Sequence, residues 1–595
     1  MPFYIGRRNV EGGGRQDDLG YTSYRAVGGV RGPINDFWSY DIFAQYSQVQ
    51  LSRIYNNDFS VTRIGRALNV VTDPGSGDPV CASVLDGTDP NCVPLDLFSG
   101  GGISQDALDY LQIPLIQTGS TVQQVFSAVV TGDLGGYGMM SPYASRGVGI
   151  AAGVEYRRDE LNSVTDTSFA TGDGAGQGGA TIGLEGVNDV YDIFFELDVP
   201  LAEGRPFFDE LGLDLAYRHS DYELGGETNS WAVGLDWAPV PSLRFRTSVQ
   251  SAIRAPNVIE LFTAQGFNLF DMDADPCGPA MTATLAECVA TGVPGAAYGS
   301  SGLDSPAGQY NFLQGGNPDL EPETAETWTI GFVFQPEFIQ GFNVSVDYFR
   351  IEIEDLIQPI GALNIISACY DNDDPTMCAL IDRSASGSLW VGDGNVIDLN
   401  TNIGGLSTSG IDINANYGID LADWGVGDYG GLSFSFVGTL LQELETDTGL
   451  GFSNSVYDCA GFYANQCGVP NPEWRHRVRV AWQTPWNAEI SGTWRYYGDV
   501  ELAVLGADGS LDNGTTTASG GGDRIDRYFE AENYFDIAAT WQLRDTTRLR
   551  MGVNNVLDND PPLSYSVGTT GNGNTYPQLY DAMGRYVFFG LTQDF

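Results

Sequence analysis

Apolar and polar residues alternate along most of this chain with a period of two. In Ser242-Leu-Arg-Phe-Arg-Thr-Ser-Val-Gln250, Leu243, Phe245 and Val249 fall on one side with Thr247, and Arg244, Arg246, Ser248 and Gln250 fall on the other. That period predicts a β-strand, in which successive side chains point to opposite faces. The same split recurs. Trp231, Val233, Leu235 and Trp237 oppose Ala232, Gly234 and Asp236; Trp328, Ile330, Phe332 and Phe334 oppose Thr327, Thr329 and Gly331. His476, Val478, Val480 and Trp482 oppose Arg475, Arg477 and Arg479; Phe535, Ile537, Ala539 and Trp541 oppose Asp536, Ala538 and Thr540. Rows of arginine do not suit the inner face of a soluble sandwich, which is apolar. They suit a transmembrane barrel, apolar outside and wet inside, with Trp and Phe near strand ends as an interfacial girdle. The predicted fold class is therefore all-β, a transmembrane antiparallel β-barrel.

The pattern yields about 17 strands. Their connections alternate between short and long. Short ones are Arg31–Asp36, Ala238–Ser242, Pro336–Gly341, Thr484–Asn487 and Arg544–Thr547; long ones lie near 51–118, 158–186, 263–321, 358–404, 444–471, 499–531 and 558–581. Short turns on the periplasmic side and long loops outside are the barrel arrangement. The last strand, ending at Phe595, then finishes on the periplasmic side, and the first, near Gly20–Arg31, enters from outside. Single-chain bacterial barrels have even strand numbers, so an odd count entered from outside predicts that strands before residue 1 are missing. In Gly341–Asp355 the apolar register changes phase, from Phe342, Val344, Val346 and Tyr348 to Phe349, Ile351 and Ile353. Either a β-bulge shifts the register there or the strand leaves the membrane and pairs above it.

Composition sharpens this picture. Of 595 residues 77 are Gly, 12% are aromatic and only 18% charged, as strands and turns require. No stretch approaches ~18 consecutive apolar residues, so no transmembrane helix is expected. The segment Met1-Pro-Phe-Tyr-Ile-Gly-Arg-Arg8 lacks the apolar core of a signal peptide. The net charge of −49 argues against nucleic acid as a partner, and acidic outer loops repel anions and attract cations. Cysteines fall in four local pairs, Cys81/Cys92, Cys277/Cys288, Cys369/Cys378 and Cys459/Cys467, all in long loops. Seven to ten residues separate the members of a pair and the chain has two His, unlike a zinc site. Disulfides stapling loops in an oxidising compartment, the envelope of a Gram-negative cell, fit better.

Several segments resemble TonB-dependent outer-membrane receptors. Ser251-Ala-Ile-Arg-Ala-Pro-Asn-Val-Ile-Glu-Leu-Phe262 looks like the family's segment leading into a large outer loop. Gly316-Asn-Pro-Asp-Leu-Glu-Pro-Glu-Thr-Ala-Glu-Thr-Trp-Thr-Ile-Gly331 looks like its entry to the next strand. Residues 342–357 are similar to the strand that follows, and Arg550-Met-Gly-Val-Asn-Asn-Val-Leu-Asp558, with the terminal Phe595, to the family's last strands. The resemblance implies a barrel of about 22 strands around a plug domain, with a TonB box that engages the energy-transducing complex. Residues 1–595 show neither plug nor TonB box, and are expected to be one receptor-like barrel domain, incomplete at its N-terminus by roughly five strands.

Candidate roles follow. Arg254 at a strand top faces Glu321 and Glu323 across a loop base, where opposite charges would pair. Arg244, Arg246, Arg475, Arg477, Arg479, Arg548 and Arg550 are expected to line the lumen near its periplasmic end, facing a plug or pairing with strand carboxylates such as Asp236 and Asp536. Loop aromatics Phe267, Phe270, Tyr298, Tyr310, Trp390, Tyr457 and Tyr463 would stack on a ligand or pack the loops against one another. Asp271/Asp273/Asp275 and Asp371/Asp373/Asp374 offer oxygen ligands for Ca²⁺ but lack the EF-hand spacing; solvated loop acids are the simpler reading. No catalytic set emerges, no cofactor is implied, and His476 lies on the lipid-facing register. The expected function is TonB-dependent uptake of a nutrient (ferric chelate, cobalamin or oligosaccharide) at the outer membrane of a Gram-negative bacterium. Its partners would be outer-membrane lipid and lipopolysaccharide, the nutrient ligand and, in the full-length form only, the TonB complex. The alternatives are a passive porin-like channel and a surface-binding barrel.

Overall fold

The computed structural model describes residues 11–99, 102–177, 179–425, 427–451, 455–464, 467–503, 526–564 and 573–594. Phe595 lies outside them. Seventeen long strands make the wall: β1 (Gln16–Pro33), β2 (Trp38–Phe59), β3 (Gln112–Asp133), β4 (Gly149–Thr165), β5 (Leu184–Arg205), β6 (Phe208–Tyr222), β7 (Gly226–Val240), β8 (Leu243–Arg254), β9 (Glu323–Phe334), β10 (Phe342–Glu354), β11 (Gly405–Asp420), β12 (Gly431–Asp447), β13 (Trp474–Gln483), β14 (Ala488–Tyr497), β15 (Glu532–Arg544), β16 (Thr547–Asn554) and β17 (Tyr586–Gln593). Each pairs antiparallel with the next. The short strand Val456–Asp458 pairs antiparallel with the outer end of β12 and completes the 18-stranded sheet. Among the described residues no pairing joins β1 to β17, so the sheet stays open along that line. No described helix is long and apolar enough to cross a membrane.

The wall is inverted relative to a soluble protein. Ile330 is 62% exposed and Phe589 71% exposed on its outer side, whereas the buried apolar clusters lie in the long loops. β2 and β3 each have 22 residues, roughly 70 Å of strand at ~3.3 Å per residue. A crossing needs about 9–11 residues, so the surplus projects beyond the apolar belt on the loop side. Tight turns close the opposite end. Between β13 and β14, Thr484 N–H donates to Ala488 C=O at 2.7 Å, and Asn487 takes φ 59°, a left-handed conformation that Asn tolerates. At Gly341 (φ 76°) a Cβ would collide with the Gly418 carbonyl, so the start of β10 requires glycine.

Two connections break the expected alternation. Glu223–Gly225 joins β6 to β7 on the outer side with only three residues. At the turn end of the wall, residues 134–148 form a long link folded back on β5. There Glu203 accepts from Ser145 N–H (2.7 Å), Arg146 N–H (3.2 Å) and Arg146 Nε (2.6 Å). The phase change in β10 involves no bulge in that strand, which pairs without a shift on both sides. The bulge sits one pair further on, where Ser409 and Gly410 face Glu443 and Leu441. β10 instead rises out of the apolar belt: Arg350 and Glu352 point outward and pair with each other, while the inward Phe349 ring covers Gly410, where a Cβ would meet it at 2.8 Å.

Candidate functional site

The long loops fold into three assemblies above the barrel. In the first, loops 255–322 and 355–404 share a four-stranded sheet of Gly266–Asp271, Gln309–Gln314, Asn395–Ile397 and Ile381–Asp382, with a parallel pair, Phe312 to Val396, linking the two. Disulfides Cys277–Cys288 and Cys369–Cys378 staple it. Its centre is a fully buried ion pair, Arg383 to Asp275 at 2.6 Å, with Arg383 also donating to the Tyr370 hydroxyl at 3.1 Å. The second joins loop 60–111, stapled by Cys81–Cys92, to loop 166–183. Asp173 accepts from Ser60 Oγ (2.5 Å) and Thr62 N–H (2.8 Å) across that join. The third unites loops 448–473, 498–531 and 555–585 through a second parallel pair, Phe462 to Glu501, and stacking of Tyr463 on Phe529 at 4.2 Å. Cys459–Cys467 closes its base.

Arg254 anchors the first assembly. It pairs with Glu323 through two hydrogen bonds, one of 2.6 Å from Nε, and with Glu260 at 3.0 Å. Glu260 closes the capping box of helix Val258–Phe262 on Asn257, and Glu323 also accepts from Ile357 N–H at 2.8 Å. One guanidinium therefore ties β8, β9, the helix and the exit of β10. Burial alone would raise the Glu323 carboxyl; Arg254 and the Ile357 N–H outweigh it and hold the group below its ordinary value. Glu321 takes no part. It lies before β9 begins at Glu323, and its backbone N–H donates to Asn402 Oδ1 at 2.8 Å.

The arginines line the lumen, but not all at its periplasmic end. Arg244 and Arg548 stand near the turns, whereas Arg475 and Arg477 lie toward the outer end, because β13 begins there at Trp474. Arg244 pairs with Glu210 and with Asp236 (3.6 Å), Arg246 with Asp347 (2.7 Å) and Arg479 with Glu489. Arg548 donates to Gln542 at 3.1 Å, and Arg550 lies 5.1 Å over the Phe588 ring. Asp536 belongs to Arg495 (2.9 Å), which also holds Asp581 at 2.6 Å and so reaches from the wall into the third assembly. Arg495 and Arg218, the latter bound to Asp192 (2.6 Å) and Glu155 (3.1 Å), escaped the sequence reading, although their inward registers on β14 and β6 would have singled them out. Arg383 carried no such signal: its partner is 108 residues away in an aperiodic loop.

Of the seven loop aromatics, only Phe267 is exposed, at 47%. Phe270 packs on Tyr310 and Phe312. Tyr298 and Trp390 lie against the first cluster, Tyr457 against Cys459–Cys467, and Tyr310 and Tyr463 are fully buried. These six pack the loops against one another. Asp275 serves Arg383, Asp371 accepts from Ser367 at 2.7 Å, and Asp374 caps a helix. Lower in the lumen, small residues such as Ala151, Ala216 and Gly234 leave a hollow of about 570 Å³, bordered by Asp198, Asp214, Asp236 and Arg246. The arrangement is a disulfide-stapled, cross-braced rim over a lumen lined by charged side chains.

Residues 3–556 match the model of a family described as TonB dependent receptor-like, beta-barrel. No curated protein matches the sequence. Among solved structures, the chain resembles the ferric enterobactin receptor of Pseudomonas aeruginosa (14% identity, TM-score 0.57, 97% of this chain and 62% of that one). It also resembles a siderophore receptor of Acinetobacter baumannii (13%, TM-score 0.52, 97% and 63%) and a ferric-catecholate import receptor of E. coli (13%, TM-score 0.50, 97% and 65%). The chain thus spans less than two thirds of the length of these structures.

Proposed function

Because the chain belongs to the TonB dependent receptor-like β-barrel family, we propose that it forms the wall of an outer-membrane receptor that imports a scarce nutrient into a Gram-negative bacterium. The observation that carries this reading is the fusion of seven long loops into three cross-braced assemblies above an arginine- and carboxylate-lined lumen. A rim of this kind presents a fixed capture surface, which a passive pore does not need. Ferric chelates come first as the ligand class, ahead of cobalamin and oligosaccharides, because the similar structures are receptors for ferric enterobactin, a siderophore and ferric catecholates. The open sheet, and the 62% of the similar ferric enterobactin receptor that the chain covers, support reading residues 1–595 as the barrel part of a longer receptor. The plug and the contact with the TonB complex then belong to the remainder.

The test is accumulation of a radioiron catecholate by cells producing the complete receptor. Uptake that a protonophore abolishes is expected. Steady ion conductance in planar bilayers, with no energy-dependent accumulation, would replace the receptor reading with a passive channel.

A further inference from the structure

The lipid-facing wall changes chemistry above its upper aromatic row. On β2 the outward register runs from Trp38 to Tyr46, nine residues, the length of one membrane crossing. At that upper level Tyr24 stacks on Tyr46 (centroids 6.2 Å apart), and Tyr156 packs at a tilt against Tyr191 (5.0 Å). Toward the loops the same outward registers turn polar, and beyond Arg158 and Glu160 on β4, which face each other at 4.0 Å, they carry no charge around the hollow. Thr22, Gln50, Ser120 and Asn162 lie side by side across β1, β2, β3 and β4, and Ser52 and Thr118 form the next row. Together they line a shallow hollow of about 540 Å³ that opens sideways, away from the lumen. Gln48 closes its lower edge, accepting from the hydroxyls of Tyr24 and Tyr46. The side chains of the two rows make no hydrogen bond among the described residues.

Position and chemistry select the occupant. Just above an interfacial aromatic row lies the depth of lipid headgroups. Uncharged amides and hydroxyls beside tyrosine rings match the alternating donors and acceptors of sugar hydroxyls. A phosphate would require a cation, and the nearest arginine on this face, Arg158, is committed to Asp189 at 3.0 Å. We propose that this hollow seats the saccharide headgroup of an outer-leaflet glycolipid. The assignment rests on the membrane reading of the wall.

The test uses purified protein whose folding is checked by heat-modifiable gel mobility, with three probes: lipopolysaccharide carrying its core sugars, lipid A stripped of them, and the free core oligosaccharide. Sugar-bearing lipopolysaccharide should bind at least tenfold more tightly than lipid A. Gln50→Leu combined with Asn162→Leu should abolish that difference, and Ser52→Ala with Ser120→Ala serves should the leucine pair not fold. Equal binding of lipopolysaccharide and lipid A, or an unchanged preference in folded variants, would overturn the site while leaving the barrel reading intact. Free oligosaccharide binding as tightly as lipopolysaccharide would overturn the membrane assignment.

Discussion

At the scale of single residues, the charges that matter are those turned inward or shut inside the loops. Replacing Arg254 by Ala leaves the buried Glu323 carboxylate with only the Ile357 N–H, a loss of at least about 1–3 kcal/mol, the cost of an under-satisfied buried polar group. Faster hydrogen exchange at residues 255–265 and 354–360 is the expected outcome; unchanged protection would remove Arg254 as the anchor. The pH dependence has a defined sign. The Glu323 carboxyl titrates below its unfolded value, so its contribution is fully present above the ordinary Glu range, near ~4.3. It is lost as pH falls through the depressed folded value. Exchange at the loop base should therefore accelerate on acidification below about pH 4 in wild type and much less in Glu323→Gln. Asp275→Asn should be more damaging locally. It strands the fully buried Arg383, a class of change that costs about 3–5 kcal/mol, and limited proteolysis should then cut loops 255–322 and 355–404 while the wall stays intact.

At the scale of elements, alternation decided which strands exist and which way they face, and that much was legible in the sequence. The count of 17 and the inward rows at Arg475, Arg477 and Arg479 follow from it directly. Loop interiors were not legible, because their order comes from contacts between distant segments with no period: the parallel pair of Phe312 and Val396 and the Asp275–Arg383 bond both join separate loops. The loop aromatics show the same limit, since exposure to a ligand and burial against a neighbouring loop demand the same residue types. The phase change in β10 was visible, and of its two explanations the rise above the belt is the one observed. Gly410 is the residue that this geometry constrains. Gly410→Val would drive a side chain into the Leu440 carbonyl and the Phe349 ring, an overpacking cost of about 1–3 kcal/mol, measurable as a lower urea midpoint; no change would mean that the ring moves freely aside.

For the whole molecule, an inverted wall carries all the stapled loops at one end. A charge placed on the lipid side should be far costlier than one in the lumen. Ile330→Arg is expected to lose about 2–4 kcal/mol of stability in bilayers, and its neighbour Thr329→Arg little; equal effects would mean that both faces are wet. Sidedness itself can be read directly in cells. An epitope inserted after Ser76, in the exposed turn of loop 60–111, and another after Trp424, in the turn between β11 and β12, should behave oppositely. Antibody should bind the first on intact cells and the second only after the outer membrane is permeabilised. Binding at Trp424 on intact cells, or at neither site until permeabilisation, would contradict the barrel orientation from which the proposed receptor function is built.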